Sequence, residues 1–185
     1  MPRNLGQPIG PFPARVGDDD EARSSYDRER RRVLWSMPAG LYVIGSRDGA
    51  RRNLMTANLV VQLATEPKLV GVAVEREAVT HALVSGGRCF GLSFLAREDR
   101  AIVRRFAKPA ADDGVDGELA GAAVRTAATG APLLACAVAW LDCELRQEVD
   151  LGSHTLFVGE VVDAAFEGED VPLLRMEDTR MSYGG

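Results

Sequence analysis

The chain has 185 residues, 46% of them apolar, and a formal net charge of −5, enough for one full-sized core and too few for two ordinary domains. The acidic balance argues against a nucleic-acid binder, which needs a basic face. The longest apolar run, Leu133 to Leu141, is nine residues, about half a membrane span.

Pro2, Arg3 and Asn4 are followed by no apolar stretch, so no signal peptide is expected and a cytoplasmic protein without a membrane or nucleic-acid partner is predicted. Residues 1–25 read as a flexible arm: prolines, glycines and the run Asp18-Asp19-Asp20-Glu21 show no periodicity and offer little to bury. A single domain is expected over residues 26–185. Val33, Leu34 and Met37 recur at helical spacing behind Arg28, Arg30, Arg31 and Arg32. Those arginines read as the solvated face of a short helix, with partner docking as the alternative.

Strands follow. Gly40 to Ser46 is rich in β-formers, Asp48-Gly49 is a hairpin signal, and the chain returns through Arg52 to Thr56. Leu59–Thr65 and Leu69–Glu75 are short apolar runs, predicted as strands covered on both faces. A helical turn fits Val79 to Ser85, with Gly86-Gly87 as its stop. Phe90–Leu95 is a further strand. A second helix is predicted over Glu98 to Lys108, with Ile102, Val103 and Phe106 as its buried stripe. The alanine-, glycine- and acid-rich residues 109–130 read as a surface excursion. Two long strands close the pattern: Cys136–Val149, and Thr155–Phe166 with Leu156, Val158, Val162 and Phe166 as its apolar face. About seven strands against two or three short helices, without regular alternation, predict a mainly β chain built as an antiparallel barrel.

Nucleotide and hydrolase fingerprints are missing: there is no G-x-G-x-x-G after a strand, no P-loop and no G-x-S-x-G elbow. Cys89, Cys136 and Cys143 show no CxxC spacing and the only histidines are His81 and His154, so no metal site is expected. So sparse a set of chemical groups suits an enzyme whose cofactor carries the reaction.

Four groups of residues, taken in order, resemble the flavin reductase family with its FMN-binding split-barrel fold. They are Asn53-Leu54-Met55-Thr56-Ala57-Asn58; Glu66 to Val72 leading into Glu75-Arg76-Glu77-Ala78-Val79-Thr80-His81; Phe90–Leu95 leading to Phe106; and Gly130 to Leu134 with Leu141-Asp142-Cys143 and Gly152 to Val161. Together they cover roughly residues 30–175. The resemblance implies an antiparallel Greek-key split β-barrel with a few short flanking helices, acting as a homodimer. It also implies FMN, or FAD, as cofactor, NADH or NADPH as hydride donor, and a reduced flavin that is either released to a monooxygenase partner or reacts in place.

The same resemblance distributes roles. Met55, Thr56, Ala57 and Asn58 would run along the flavin, although Thr and Asn also stabilise turns in their own right. Val61 and Gln62, with Leu63, stand where the family usually has serines, leaving the Gln62 amide to meet the ring carbonyls. Glu75, Arg76 and Thr80 would lie at the phosphate: Thr80 as a helix N-cap beside free amides, Arg76 as a charged donor. Leu95 ends the next strand, and Arg97 would reach the ribityl chain or phosphate, or remain solvated. His154, in Gly152-Ser153-His154-Thr155, matches the family's histidine near the nicotinamide and is the predicted catalytic residue, with Ser153 in place of an acid. The competing reading is an FMN-binding electron carrier that uses no nicotinamide. A split barrel holding haem or a deazaflavin is a third.

Overall fold

The Asp-Gly signal becomes a two-residue hairpin. Strand β1 (Tyr42–Asp48) pairs antiparallel with β2 (Arg51–Ala57), Asp48 opposite Arg51, leaving Gly49 and Ala50 as the loop. Gly49 takes φ +58°, the left-handed conformation that a type II′ turn asks of its first central residue and that glycine adopts freely.

The computed structural model describes residues 11–108, 112, 116–168, 170–179 and 181. Helix α1 (Asp20–Trp35) precedes the hairpin. After it come β3 (Val60–Thr65), β4 (Lys68–Glu75), α2 (Val79–Gly87), β5 (Cys89–Phe94), β6 (Glu118–Leu119), β7 (Ala122–Arg125), β8 (Leu133–Leu134), β9 (Ala139–Asp150) and β10 (His154–Phe166). Seven strands form one antiparallel sheet in the order β2-β1-β5-β9-β10-β4-β3, and β6-β7-β8 form a second. The β9–β10 hairpin inserts between β5 and β4, and hydrogen bonds leave β2 and β3 as the edges of an unclosed, split barrel. Ile44, Val72, Val74, Phe90, Leu92, Cys143 and Phe157 meet inside it, with Val84 of α2 closing the cluster. Among the described residues no helix is long and apolar enough to cross a membrane.

The described residues up to Pro38, with Met181, form one compact unit and those from Ala39 to Thr179 another. In the first, the acidic run predicted as arm starts a helix. Asp19 caps α1 by accepting from the Ala22 amide (2.7 Å), and Asp20 and Glu21 stand in its first turn, where acids meet the positive end of the helix dipole. The arm's residues 1–10 lie outside the described residues. Val33, Leu34, Trp35 and Met37 are exposed rather than buried.

Four further expectations are corrected. The helix predicted over Glu98 to Lys108 is two 3-10 turns, Arg97–Asp99 and Ile102–Arg104. The Val103 carbonyl, which a continuous α-helix would pair with the Ala107 amide, accepts instead from the Thr56 hydroxyl (2.6 Å), and the Phe106 carbonyl accepts from the Thr56 amide (3.0 Å). The surface excursion holds β6 and β7, with Leu119 and Ala122 buried. Strand β3 is an edge, exposing Val61 and Leu63, so an apolar run without alternation did not mean cover on both faces. On β10 it is Phe157 that lies in the core, ahead of the register shifts against β9, which skip Arg146 of β9 and then Val162 of β10; Val162 and Phe166 are exposed.

Residues 129–134 are clamped on the sheet by a buried carboxylate: Asp142 accepts from the Thr129 amide (2.7 Å) and hydroxyl. Asp142→Ala removes both bonds and is expected to cost about 2 kcal/mol. Thr129→Val, which loses the hydroxyl bond alone, should cost less. Urea unfolding of the two variants checks the order, and equal stability of Asp142→Ala and wild type would refute the clamp.

Candidate functional site

Glu75 ends β4 and His154 opens β10, and the two residues are ladder partners. Beyond Glu75 the Arg76 amide donates to the Ser153 carbonyl (3.1 Å), and three residues later α2 begins. The end of β4, the start of α2 and the start of β10 are therefore gathered at one end of the sheet.

Side chains fix α2 there from two directions. Asn53 Nδ2 on β2 donates to Thr80 Oγ1 (2.8 Å), and both residues are buried. His81 Nε2 lies 2.8 Å from Thr155 Oγ1 on β10, and its ring meets Phe157 edge-on at 5.1 Å. Asn53 shares one face of β2 with Met55 and Ala57, since strand side chains alternate. Ala57 belongs to the core cluster, and Met55 and Ala78 pack against it. The predicted flavin turn and the α2 start thus converge.

Thr80 is not the N-cap. That position is Ala78, whose side chain makes no capping bond; the Ala78 amide donates to the Glu75 carbonyl and the His81 amide to the Ala78 carbonyl (3.0 Å each), so the attraction for an anion falls to the Val79 and Thr80 amides between them. Gly87 is not a stop either, because the helix runs through it to a left-handed Arg88 (φ +56°). A Cβ on Gly87 would stand 1.7 Å from the Arg47 carbonyl oxygen, so the glycine serves close packing of α2 on β1.

Arg76 stands two residues before Ala78 and pairs with Asp150 (2.8 Å), both about half exposed. The Gly152 amide, and then Arg76, hold the Asp150 carboxyl below the usual carboxylate range. Arg76 therefore meets any anion at α2 as one half of an ion pair. His154 is half-buried, with Nδ1 2.9 Å from Ser153 Oγ, which leaves Nε2 for a ligand.

Other predicted residues lie apart from this cluster. Thr56 is on the opposite face of β2 from Met55, its hydroxyl spent on Val103, so its side chain does not line the same wall. Leu95 is buried and its carbonyl accepts from the Leu174 amide (2.9 Å). Arg97 pairs with Asp178 (3.0 Å) beside the C-terminal segment. Val61 and Gln62 are exposed on edge strand β3, Gln62 making one long bond to the Ala64 carbonyl (3.4 Å). Asn58 is half-buried at the link from β2 to β3.

Asn53, His81 and Thr155 were not predicted. Asn53 has the parity of Met55 and Ala57 and was findable on that ground. His81 and Thr155 meet across 74 residues of sequence, and nothing local marks the pairing.

A flavin mononucleotide needs an apolar wall for its ring and an anion site for its phosphate. Met55 and Ala78, partly buried against the core beside Ala57, would meet the first, and the start of α2 with Arg76 the second. The residues fit the group. The flavin reductase like domain family matches residues 34–183. The chain is similar to an NADH-dependent FAD reductase of Streptomyces globisporus, 34% identical over 134 residues, 72% of this chain and 73% of the relative. A solved NADH:FAD oxidoreductase of that organism superimposes with TM-score 0.73 at 29% identity, covering 85% of this chain and 92% of that one. The styrene monooxygenase flavin reductase of Pseudomonas putida gives TM-score 0.67 at 26% identity, over 79% and 90% of the two chains. High molecular weight rubredoxin of Moorella thermoacetica is 33% identical over 136 residues, 72% of this chain, and this chain spans 58% of its length. The sheet order, the convergent site and the match over residues 34–183 together lead to one conclusion: the chain belongs to the flavin reductase like family.

Proposed function

We propose that this chain is an NAD(P)H-dependent flavin reductase that binds FMN, or FAD, and transfers hydride to it from a reduced nicotinamide. One observation carries the reading: the Met55–Ala57 face of β2 and the α2 start converge, with His154 opening β10 at the same end of the sheet. A bound flavin supplies the two-electron acceptor, so the protein needs to position reactants more than to move protons. The first-turn amides of α2 and Arg76 hold the phosphate. Met55, Ala57 and Ala78 wall the ring, and the Asn53–Thr80 bond sets the distance between wall and phosphate site. His154 Nε2 orients the nicotinamide.

The partner is a flavin-consuming monooxygenase, as for the similar styrene monooxygenase flavin reductase of Pseudomonas putida. The working unit is a homodimer that covers the exposed apolar residues of β3. Equilibrium sedimentation reads this directly, and a monomer at micromolar concentration would remove it. Three free cysteines fit a reducing compartment, the cytoplasm.

The reading is tested by steady-state oxidation of NADH and NADPH with and without added FMN or FAD. Flavin should stimulate the oxidation at least tenfold. A second reading, an electron carrier that holds FMN without using nicotinamide, draws on Val61 and Gln62 standing exposed where the family usually has serines. It requires a yellow protein and no stimulation.

A further inference from the structure

Thr155 is buried and stands on one rung between Val74 of β4 and Asp150 of β9. It is also the residue after His154. The segment leading into α2 is tied to this rung on two sides. Outside, Arg76 pairs with Asp150 (2.8 Å). Inside, His81 reaches Thr155 (2.8 Å) while its ring packs on Phe157. The outer tie is solvent-exposed, and such pairs hold geometry weakly. The inner tie has one buried partner and an aromatic contact behind it, so it is the stronger constraint.

We infer that His81, acting through Thr155, is a positioning residue that couples the phosphate-binding start of α2 to the nicotinamide-binding start of β10. This rests on the flavin reductase reading and deepens it. With the His81–Thr155 bond in place, α2 and His154 keep one separation. Without it, the start of β10 is free to shift against α2, and a nicotinamide spanning the two meets His154 at the wrong distance. The loss should appear as weaker nicotinamide binding, because positioning acts before hydride transfer.

The experiment uses the full chain loaded with flavin. His81→Phe keeps the packing on Phe157 and removes the bond. Thr155→Val removes the bond from the other side and covers the case in which His81→Phe does not fold. Each should raise KM for the reduced nicotinamide about tenfold, the scale of one lost hydrogen bond, and lower kcat less than twofold. Calorimetric titration with the oxidised nicotinamide should show the same tenfold loss without turnover. The double variant should be no worse than either single one, and His81→Gln should recover affinity to within threefold. A His81→Phe protein with lowered Tm and unchanged nicotinamide affinity would overturn the inference, leaving His81 merely structural. So would multiplicative effects in the double variant. Wild-type protein that oxidises no nicotinamide with any flavin would instead sink the parent reading, and this inference with it.

Discussion

Replacing His154 by alanine lowers kcat/KM for the reduced nicotinamide about 100-fold while flavin affinity changes less than threefold. The first half follows from geometry. His154 is half-buried at the first position of β10, and Ser153 Oγ engages its Nδ1 (2.9 Å). The ring is therefore held from one side and offers Nε2 on the other. A group that orients a reactant contributes by raising the fraction of bound molecules in attack geometry, and its loss costs on the order of 100-fold, or about 2.7 kcal/mol. The second half follows from where the flavin wall lies. Met55 and Ala57 are on β2 and Ala78 and Thr80 at α2, and the hydrogen bond between Asn53 and Thr80 joins the two without His154. Stopped-flow reduction kinetics and flavin fluorescence titration separate the two quantities. A variant within threefold of wild type in kcat/KM would remove His154 from the reaction.

Gly45→Ala destabilises the barrel wall. A Cβ on Gly45 would stand 1.7 Å from the Pro132 carbonyl oxygen and 2.8 Å from its carbon. Both are backbone atoms and cannot rotate away. Gly45 faces Gly91 across the ladder, where a Cβ would meet Leu133 at 2.6 Å, so the paired glycines form a seat for Pro132 and Leu133. Admitting a methyl group lifts that segment, along with the bond from the Leu134 amide to Ser93 Oγ (2.9 Å) and the clamp on Asp142. The expected cost is about 3 kcal/mol, the upper range for overpacking, or a fall in Tm of about 10 °C for a domain of this size. Gly71→Ala is the control. Its Cβ would meet the ends of the Leu63 and Leu156 side chains at 2.9 and 3.0 Å, which can turn aside, so it should cost under about 1 kcal/mol. Thermal unfolding of the two variants followed by circular dichroism gives the comparison. Equal Tm values would refute the seat.

Much of the barrel was legible because its strands are written in β-branched and aromatic runs with Asp48-Gly49 as punctuation. Pairing order was not, since nothing in the run Leu59 to Thr65 says that it ends at an edge. Residues 98–108 carry a sound buried stripe, yet Thr56 takes the carbonyls of Val103 and Phe106, and no helical pattern shows a competitor more than 40 residues away. The second sheet hid in alanine and glycine, where a buried Ala122 looks like an exposed one.

The candidate site was legible in part for a similar reason. Met55, Ala57, Glu75, Arg76 and His154 stand in contiguous motifs, and the structure gathers them around α2. Thr56 fell away because alternation along β2 turns it to the other face. Arg97 is committed to Asp178. The bonds that assemble the site, Asn53 with Thr80 and His81 with Thr155, join distant segments and emerge only from the fold.

In the proposed reaction, electrons pass from nicotinamide to a flavin lodged between β2 and α2. Anaerobic addition of NADH or NADPH to the flavin-loaded protein tests it, with the visible flavin band followed in time. Complete bleaching at about one equivalent of donor is predicted for a two-electron transfer. A band that stays unbleached under excess of both donors would contradict it.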